Sequence, residues 1–278
     1  MGADIGHKSR LFCRSRDRDS MKDPIFIVGS GRSGTSVLLN TIRKSLEIPG
    51  HGEGHFFPLI REVNRTINGY FDRRKAQAEN ERHLLHHVDV KGFRKQFAAT
   101  IRDVYKAQYG TEGFIDKTPG LQGVKAIPQM QAAFPNMRVV FAKRRGIEVV
   151  RSAMRKFPHA DFKTHCEIWR DCMASWAVSR PKLRCGYVEI DQFDIANAPE
   201  KVVDKLGALL EIEDGARERM LSFFKSDRPQ SSGSLNSVPC SIDNADWSED
   251  QIQSFREICG GMMDVYGYSE SDQYFKSG

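Results

Sequence analysis

The sequence predicts an α/β fold, a three-layer sandwich in which helices cover both faces of a central parallel sheet. Three observations lead there. Short apolar runs rich in β-branched residues alternate with segments of helical periodicity, the pattern of parallel strands joined by helical crossovers. The first of these runs ends in a glycine-rich turn, "GSGRSGTS" at 29–36, and a helical pattern follows without a gap. At 278 residues the chain is long enough to bury the core that such a sandwich requires.

Taken in order, "PIFIVG" at 24–29 reads as a buried strand, and 35–46 as a helix with Leu38, Leu39, Ile42 and Leu46 on one face. Residues 91–109 carry Phe93, Phe97, Ile101 and Tyr105 at steps of four, a second helix. "GFID" at 113–116 reads as a short strand, 121–133 as a helix, "MRVVFAK" at 137–143 as a strand and 146–156 as the helix after it. Residues 164–180 align His165, Trp169, Cys172 and Trp176 on one helical face, and "CGYVEI" at 185–190 is a further strand. Helices are expected at 198–211 and 215–226, then a long Ser- and Asn-rich loop at 227–246 of the kind used as a lid or binding loop. Ser248 and Gln251 form a capping box opening a last helix through Phe255, Cys259, Met262 and Tyr266. The expected organisation is a flexible basic leader at 1–21, in which Met21 is a second candidate start, one domain at 22–270 and a tail at 271–278.

Composition narrows the classes of function. No apolar run reaches the roughly 20 residues that span a bilayer, and the first twenty residues lack the apolar centre of a secretory signal. Six scattered cysteines form no Cys-x-x-Cys pair and suit reduced thiols in a cytoplasmic protein. The net charge of +6 is spread among 36 acidic residues, which argues for a small anionic ligand over a nucleic-acid surface. His83, His86 and His87 have helical spacing, but no Cys or carboxylate cluster completes a metal site, and no metal is expected.

The glycine-rich turn carries the chemistry. It nearly spells the phosphate loop G-x-x-x-x-G-K-[ST], with Thr35 where lysine would stand. Gly29, Gly31 and Gly34 allow the backbone N–H groups to curl inward, and the helix behind adds its positive end. The cation has moved to Arg32, whose planar fork of donors suits a tetrahedral anion.

With its flanks, "PIFIVGSGRSGTSVLLNTI" resembles the donor loop of sulfotransferases that use 3′-phosphoadenosine 5′-phosphosulfate. Three further stretches carry the same resemblance. "RVVFAKRRGIEVVRSAMRKF" at 138–157 is similar to the family's segment for the donor's 3′-phosphate, which implies that role for Arg144 and Ser152, with Arg145 adding to the grip or replacing Arg144. "HGEGHFF" at 51–57 resembles the Glu-x-His-Phe-Phe segment of heparan-type members, which implies Glu53 as base, with His55 and then His51 as the other candidates. "FIDKTPG" at 114–120 is like a stretch that brings a lysine into the active site, here Lys117, with Asp116 in place of the usual Glu. "YVEIDQF" at 187–193 resembles a later strand of the family, where Glu189 reads as structural.

The resemblance implies an enzyme that moves a sulfonate group to a hydroxyl-bearing acceptor and releases 3′,5′-adenosine diphosphate. The donor would contact Ser30, Gly31, Arg32, Ser33, Gly34, Thr35, Ser36, Arg144 and Ser152, and Glu53, Arg32, Lys117 and His55 would serve catalysis, without a metal. The chain departs from the family near its end: a Lys/Arg-Gly-rich loop leading to Trp is reduced to Arg228, Gly233 and Trp247. Two other functions remain at this level, an ATP- and magnesium-dependent phosphotransferase and a basic nucleic-acid binder that is not an enzyme.

Overall fold

In the computed structural model, which describes residues 22–226 and 239–277, four strands make one parallel sheet. They are β1 (Ile25–Gly29), β2 (Ile115–Lys117), β3 (Arg138–Lys143) and β4 (Tyr187–Asp191), in the order β2-β1-β3-β4. The helices are α1 (Thr35–Leu46), α2 (Phe56–Arg73), α3 (Lys75–Ala78), α4 (Val90–Tyr109), α5 (Leu121–Lys125), α6 (Ile127–Ala133), α7 (Gly146–Lys156), α8 (Phe162–Ser179), α9 (Gln192–Asn197), α10 (Pro199–Leu210), α11 (Asp214–Ser226) and α12 (Glu249–Val265).

The two-residue period of the strands divides the core into two layers. Phe26 and Val28 of β1, with Val139 and Phe141 of β3, face a cluster that includes Phe57, Ile101, Met130, Val150, Trp169 and Phe255 from α2, α4, α6, α7, α8 and α12. Ile25 and Ile27, with Val140, Ala142 and Ile190, face Leu38, Ile42, Val202, Leu206 and Phe224 from α1, α10 and α11. This is the expected three-layer sandwich. Trp169 and Trp176 are fully buried, and Trp176 stacks on Phe141 at 4.4 Å, so both are core residues.

Chain order reverses around β1, whose neighbours β2 and β3 come later in sequence on opposite sides. The crevice beyond the carboxyl ends of the strands at such a point is where open α/β sheets hold ligands. The loops after β1, β2 and β3 meet there. Gly29 ends β1 with φ 146, and a Cβ on it would lie 2.0 Å from the carbonyl oxygen of Ala142 on β3. Gly29→Ala is therefore expected to destabilise the fold by more than about 2 kcal/mol, from backbone strain plus a clash with a backbone atom, read as a fall in Tm.

Several boundaries differ from the sequence expectation. The helix expected at 121–133 is two helices meeting at Ala126, because Pro128 has no N–H to continue the ladder. The strand expected from 185 begins at Tyr187 and runs to Asp191, whose carboxylate accepts from the Phe193 N–H and starts α9. No element is expected over 58–73, where α2 lies. Its apolar stripe of Phe56, Ile60, Val63, Ile67 and Phe71 has helical spacing even though only Phe57 and Ile60 are fully buried, and Pro58 sits in a first turn that needs no N–H from it.

Residues 1–21 and 227–238 fall outside the described residues, and with them the leader, the alternative start at Met21, Arg228 and Gly233. Trp247 packs edge-on against Phe162, with ring centres 5.0 Å apart. Segment 271–275, expected as a tail, is tied into the body. Tyr274 is buried, and its hydroxyl accepts from the Arg145 N–H at 2.8 Å and donates to Asp191 at 2.8 Å.

Candidate active site

The loop between β1 and α1 begins at a residue only glycine can occupy and ends on the first turn of a twelve-residue helix. Gly34 at its N-cap has φ 81, and Arg32 in mid-loop has φ 67, a left-handed conformation for a side-chain-bearing residue. Ser30 and Ser33 are buried with their hydroxyls in contact, and Thr35 is buried at the helix start. The curl of the loop therefore follows from its glycines and two small buried hydroxyl residues.

Two groups of side chains gather at this loop. In the first, Arg32 Nε donates to Ser152 Oγ on α7 at 2.9 Å, and an Arg144 Nη1 donates to the Arg32 carbonyl at 3.2 Å. Neither guanidinium has a carboxylate within ion-pair reach among the described residues, and Arg144 Nε is buried without a hydrogen-bond partner there. Burial, with repulsion from Arg32 adding to it, lowers the Arg144 pKa below its ordinary value. Converging cations with an unmatched buried donor are suited to an anion, and a phosphate fits that donor set. The spacing of Arg144 and Ser152 in sequence thus becomes one group in space, and Arg32 joins it.

The second group stands on β2. Lys117, only 4% exposed, donates from Nζ to Ser36 Oγ on α1 and to Glu53 Oε1, both at 3.0 Å. His55 Nε2 contacts the other Glu53 oxygen at 2.5 Å. Burial pushes the Glu53 pKa up, but the hydrogen bonds and charges of Lys117 and His55 outweigh it and hold the carboxyl below its usual value. Glu53 is therefore a carboxylate at neutral pH.

What fixes the 51–55 segment is a part of the site the sequence did not reveal. The Gly54 N–H donates to the Lys117 carbonyl at 3.0 Å, and the His55 N–H donates to Thr118 Oγ1 at 3.3 Å. Thr118 donates to Asp116, which also accepts from Tyr105 at 2.8 Å. Asp116 is buried, and burial raises its pKa even though both hydroxyls favour its charged form. Gly54 has no room for a side chain, since a Cβ would fall 1.9 Å from Asp116 Oδ2. The Asp-Lys-Thr order of 116–118 was the only signal of this arrangement, and it does not tell which partner each residue takes.

Other candidates have different surroundings. Arg145 is fully buried, and its guanidinium donates to Glu148 and to the carbonyls of Cys240, Ser269, Ser271 and Gln273. It has no donor left for a ligand, so the expectation that it adds to or replaces Arg144 is corrected. His51 is hydrogen-bonded to the Tyr109 hydroxyl at 2.6 Å. Glu189 accepts from Trp176, Arg180 and Lys143 and serves structure. His86 and His87 bond backbone carbonyls, and among the described residues no three His, Cys, Asp or Glu residues are grouped to hold a metal.

The model of the sulfotransferase family matches residues 24–215, about two thirds of the chain. The chain belongs to the sulfotransferase family. It is thus a transferase of sulfonate groups. Among solved structures it is similar to the sulfotransferase domain of the curacin biosynthetic pathway, with TM-score 0.51 and 16% identity over 91% of this chain and 100% of that one. It is also similar to the sulfotransferase domain of the Synechococcus PCC 7002 olefin synthase, with TM-score 0.50 and 17% identity over 91% and 97% of the two chains. The sulfotransferase STF9 from Mycobacterium avium gives TM-score 0.50 and 13% identity over 87% and 76%. At these identities the likeness is one of fold. A search of curated protein sequences returned no match. Among the described residues no helix is long and apolar enough to cross a membrane.

Proposed function

We propose that this sulfotransferase moves a sulfonate from 3′-phosphoadenosine 5′-phosphosulfate to an acceptor hydroxyl, with Glu53 as the general base. The observation that carries the reading is Lys117, a nearly buried cation whose Nζ joins Ser36 of the glycine-rich loop to Glu53. This bridge between the glycine-rich loop and a carboxylate supports reading the one as the donor seat and the other as the base.

The donor supplies an activated sulfonate, whose bond to the phosphate oxygen breaks as the acceptor oxygen attacks in line. The backbone of Ser30, Gly31, Arg32, Ser33, Gly34, Thr35 and Ser36 cradles the phosphate, and Arg144, Ser152 and the Arg32 side chain hold the 3′-phosphate. Glu53 accepts the proton of the acceptor hydroxyl, while His55 fixes its other oxygen. Lys117 neutralises charge that builds where the sulfonate passes, which fixed cations do without reorganising. Arg32, expected from its loop position to neutralise charge at the transferring sulfonate, has its Nε on Ser152, which favours the phosphate end for its side chain and leaves Lys117 as the cation at the transfer. The acceptor is a hydroxyl-bearing carbohydrate, lipid or small molecule. The five described cysteines are unpaired, which suits a cytoplasmic enzyme.

A thermal-shift titration tests the donor. Binding to the folded state raises Tm with ligand concentration, so 3′,5′-adenosine diphosphate is expected to stabilise the chain where ATP with magnesium and an oligonucleotide do not. A shift with ATP alone would replace the reading with phosphoryl transfer, and one with the oligonucleotide alone with nucleic-acid binding. Arg144→Ala is expected to weaken the bisphosphate by about tenfold to a hundredfold, the size of a lost charge-assisted contact, measured by calorimetry.

A further inference from the structure

We infer that Arg145 and Tyr274 are positioning residues for the donor's 3′-phosphate, acting by fastening the carboxy-terminal segment Ser269–Phe275 behind the turn that carries Arg144. The inference rests on the reading of Arg144 and Ser152 as the seat of that phosphate.

The guanidinium of Arg145 gathers three stretches of chain. Nη1 donates to the carbonyls of Ser269 at 3.0 Å, Ser271 at 2.8 Å and Gln273 at 3.2 Å. Nη2 donates to the Cys240 carbonyl at 2.8 Å and to Glu148, which Nε also reaches at 3.0 Å. Glu148 lies on α7 and in turn accepts from the Cys240 N–H at 3.2 Å. A fully buried charge is tolerated because its donors meet a carboxylate and carbonyls. Such a hub is costly for a surface tail and serves a purpose where the chain it gathers must stay in one place.

What it holds in place is the peptide unit between Arg144 and Arg145. The Arg144 carbonyl accepts from Trp169 Nε1 at 3.0 Å, and the Arg145 N–H donates to the Tyr274 hydroxyl at 2.8 Å. Both ends of that peptide plane are fixed by buried side chains on different elements. The Tyr274 hydroxyl is itself aimed by Asp191, to which it donates, and its ring stacks on Phe193 at 4.4 Å. The orientation of this peptide sets where the Arg144 side chain leaves the backbone, and hence its approach to Ser152 and Arg32. Loss of the Tyr274 hydroxyl would free a buried N–H and allow the plane to rotate.

Calorimetry with 3′,5′-adenosine diphosphate and adenosine 5′-monophosphate tests it, because the two ligands differ only in the 3′-phosphate. The ratio of their Kd values is the readout. Tyr274→Phe keeps the ring and its stacking, and is expected to lower the preference for the bisphosphate about threefold to tenfold while 5′-monophosphate binding is unchanged. Phe224→Leu, in the opposite core layer, supplies a destabilised control that should leave the ratio intact. An unchanged ratio in Tyr274→Phe, or an equal fall in the control, overturns the inference. A wild-type ratio near one removes the phosphate seat itself, and this inference with it.

Discussion

Glu53→Gln is expected to lower kcat by about a hundredfold to ten-thousandfold, the usual contribution of a positioned base, and to leave the Kd for 3′,5′-adenosine diphosphate unchanged. The amide keeps the size of the carboxylate and an oxygen for Lys117 Nζ, so the loop stays where it is. What it lacks is the capacity to take a proton. Single-turnover sulfonation together with calorimetry separates the two effects. Loss of bisphosphate binding in this variant would show that Glu53 holds the loop rather than the proton.

Lys117→Met should cost about a hundredfold to a thousandfold in kcat, as when one preorganised donor is withdrawn from a developing charge. Methionine fills the buried path of the lysine stem, and it removes only the ammonium that Ser36 and Glu53 share. The pH dependence adds a test that packing loss would not mimic. In the parent, burial alone would raise the Glu53 pKa, but Lys117 and His55 hold it below the ordinary carboxylate value. Activity needs the ionised form, so kcat/KM falls as pH drops through that pKa. Without the Lys117 charge the pKa rises, and the acid limb of the profile moves to higher pH. A limb that stays in place, or moves to lower pH, would show that Lys117 does not act on Glu53.

The sequence was most legible where periodicity is long or where a residue type is forced. Helix 146–156 and the α1 span emerge with the expected bounds, because each has a full amphipathic stripe and a strand ending just before it. The capping box of Ser248 and Gln251 forms as expected, since both partners lie within one turn. Helix α2 carries the same kind of signal, with Phe56, Ile60, Val63, Ile67 and Phe71 at helical spacing, so that span was legible and went unread. The candidate site divides along the same line. The glycine-rich loop, Arg144 with Ser152, and Glu53 with Lys117 were visible as separate segments. That Lys117 spans Ser36 and Glu53, that Arg32 turns to Ser152, and that Asp116 underpins Gly54 are contacts between residues far apart in the chain.

Arg145 shows most directly what sequence reading cannot supply. Beside Arg144, which the family spacing to Ser152 put first for the phosphate, it stood on the same basic turn as a residue that could add to the grip or replace it. Burial by the carboxy-terminal segment decides the matter, because it consumes the Arg145 donors and leaves a buried Arg144 donor unmatched. By itself the sequence determined the α/β class, the oxyanion loop and the family, since local periodicity and short motifs encode these. Only the tertiary structure decided which arginine has its donors taken by the fold and which keeps one unmatched, because hydrogen-bonding capacity is allotted by neighbours that the chain brings together from a distance.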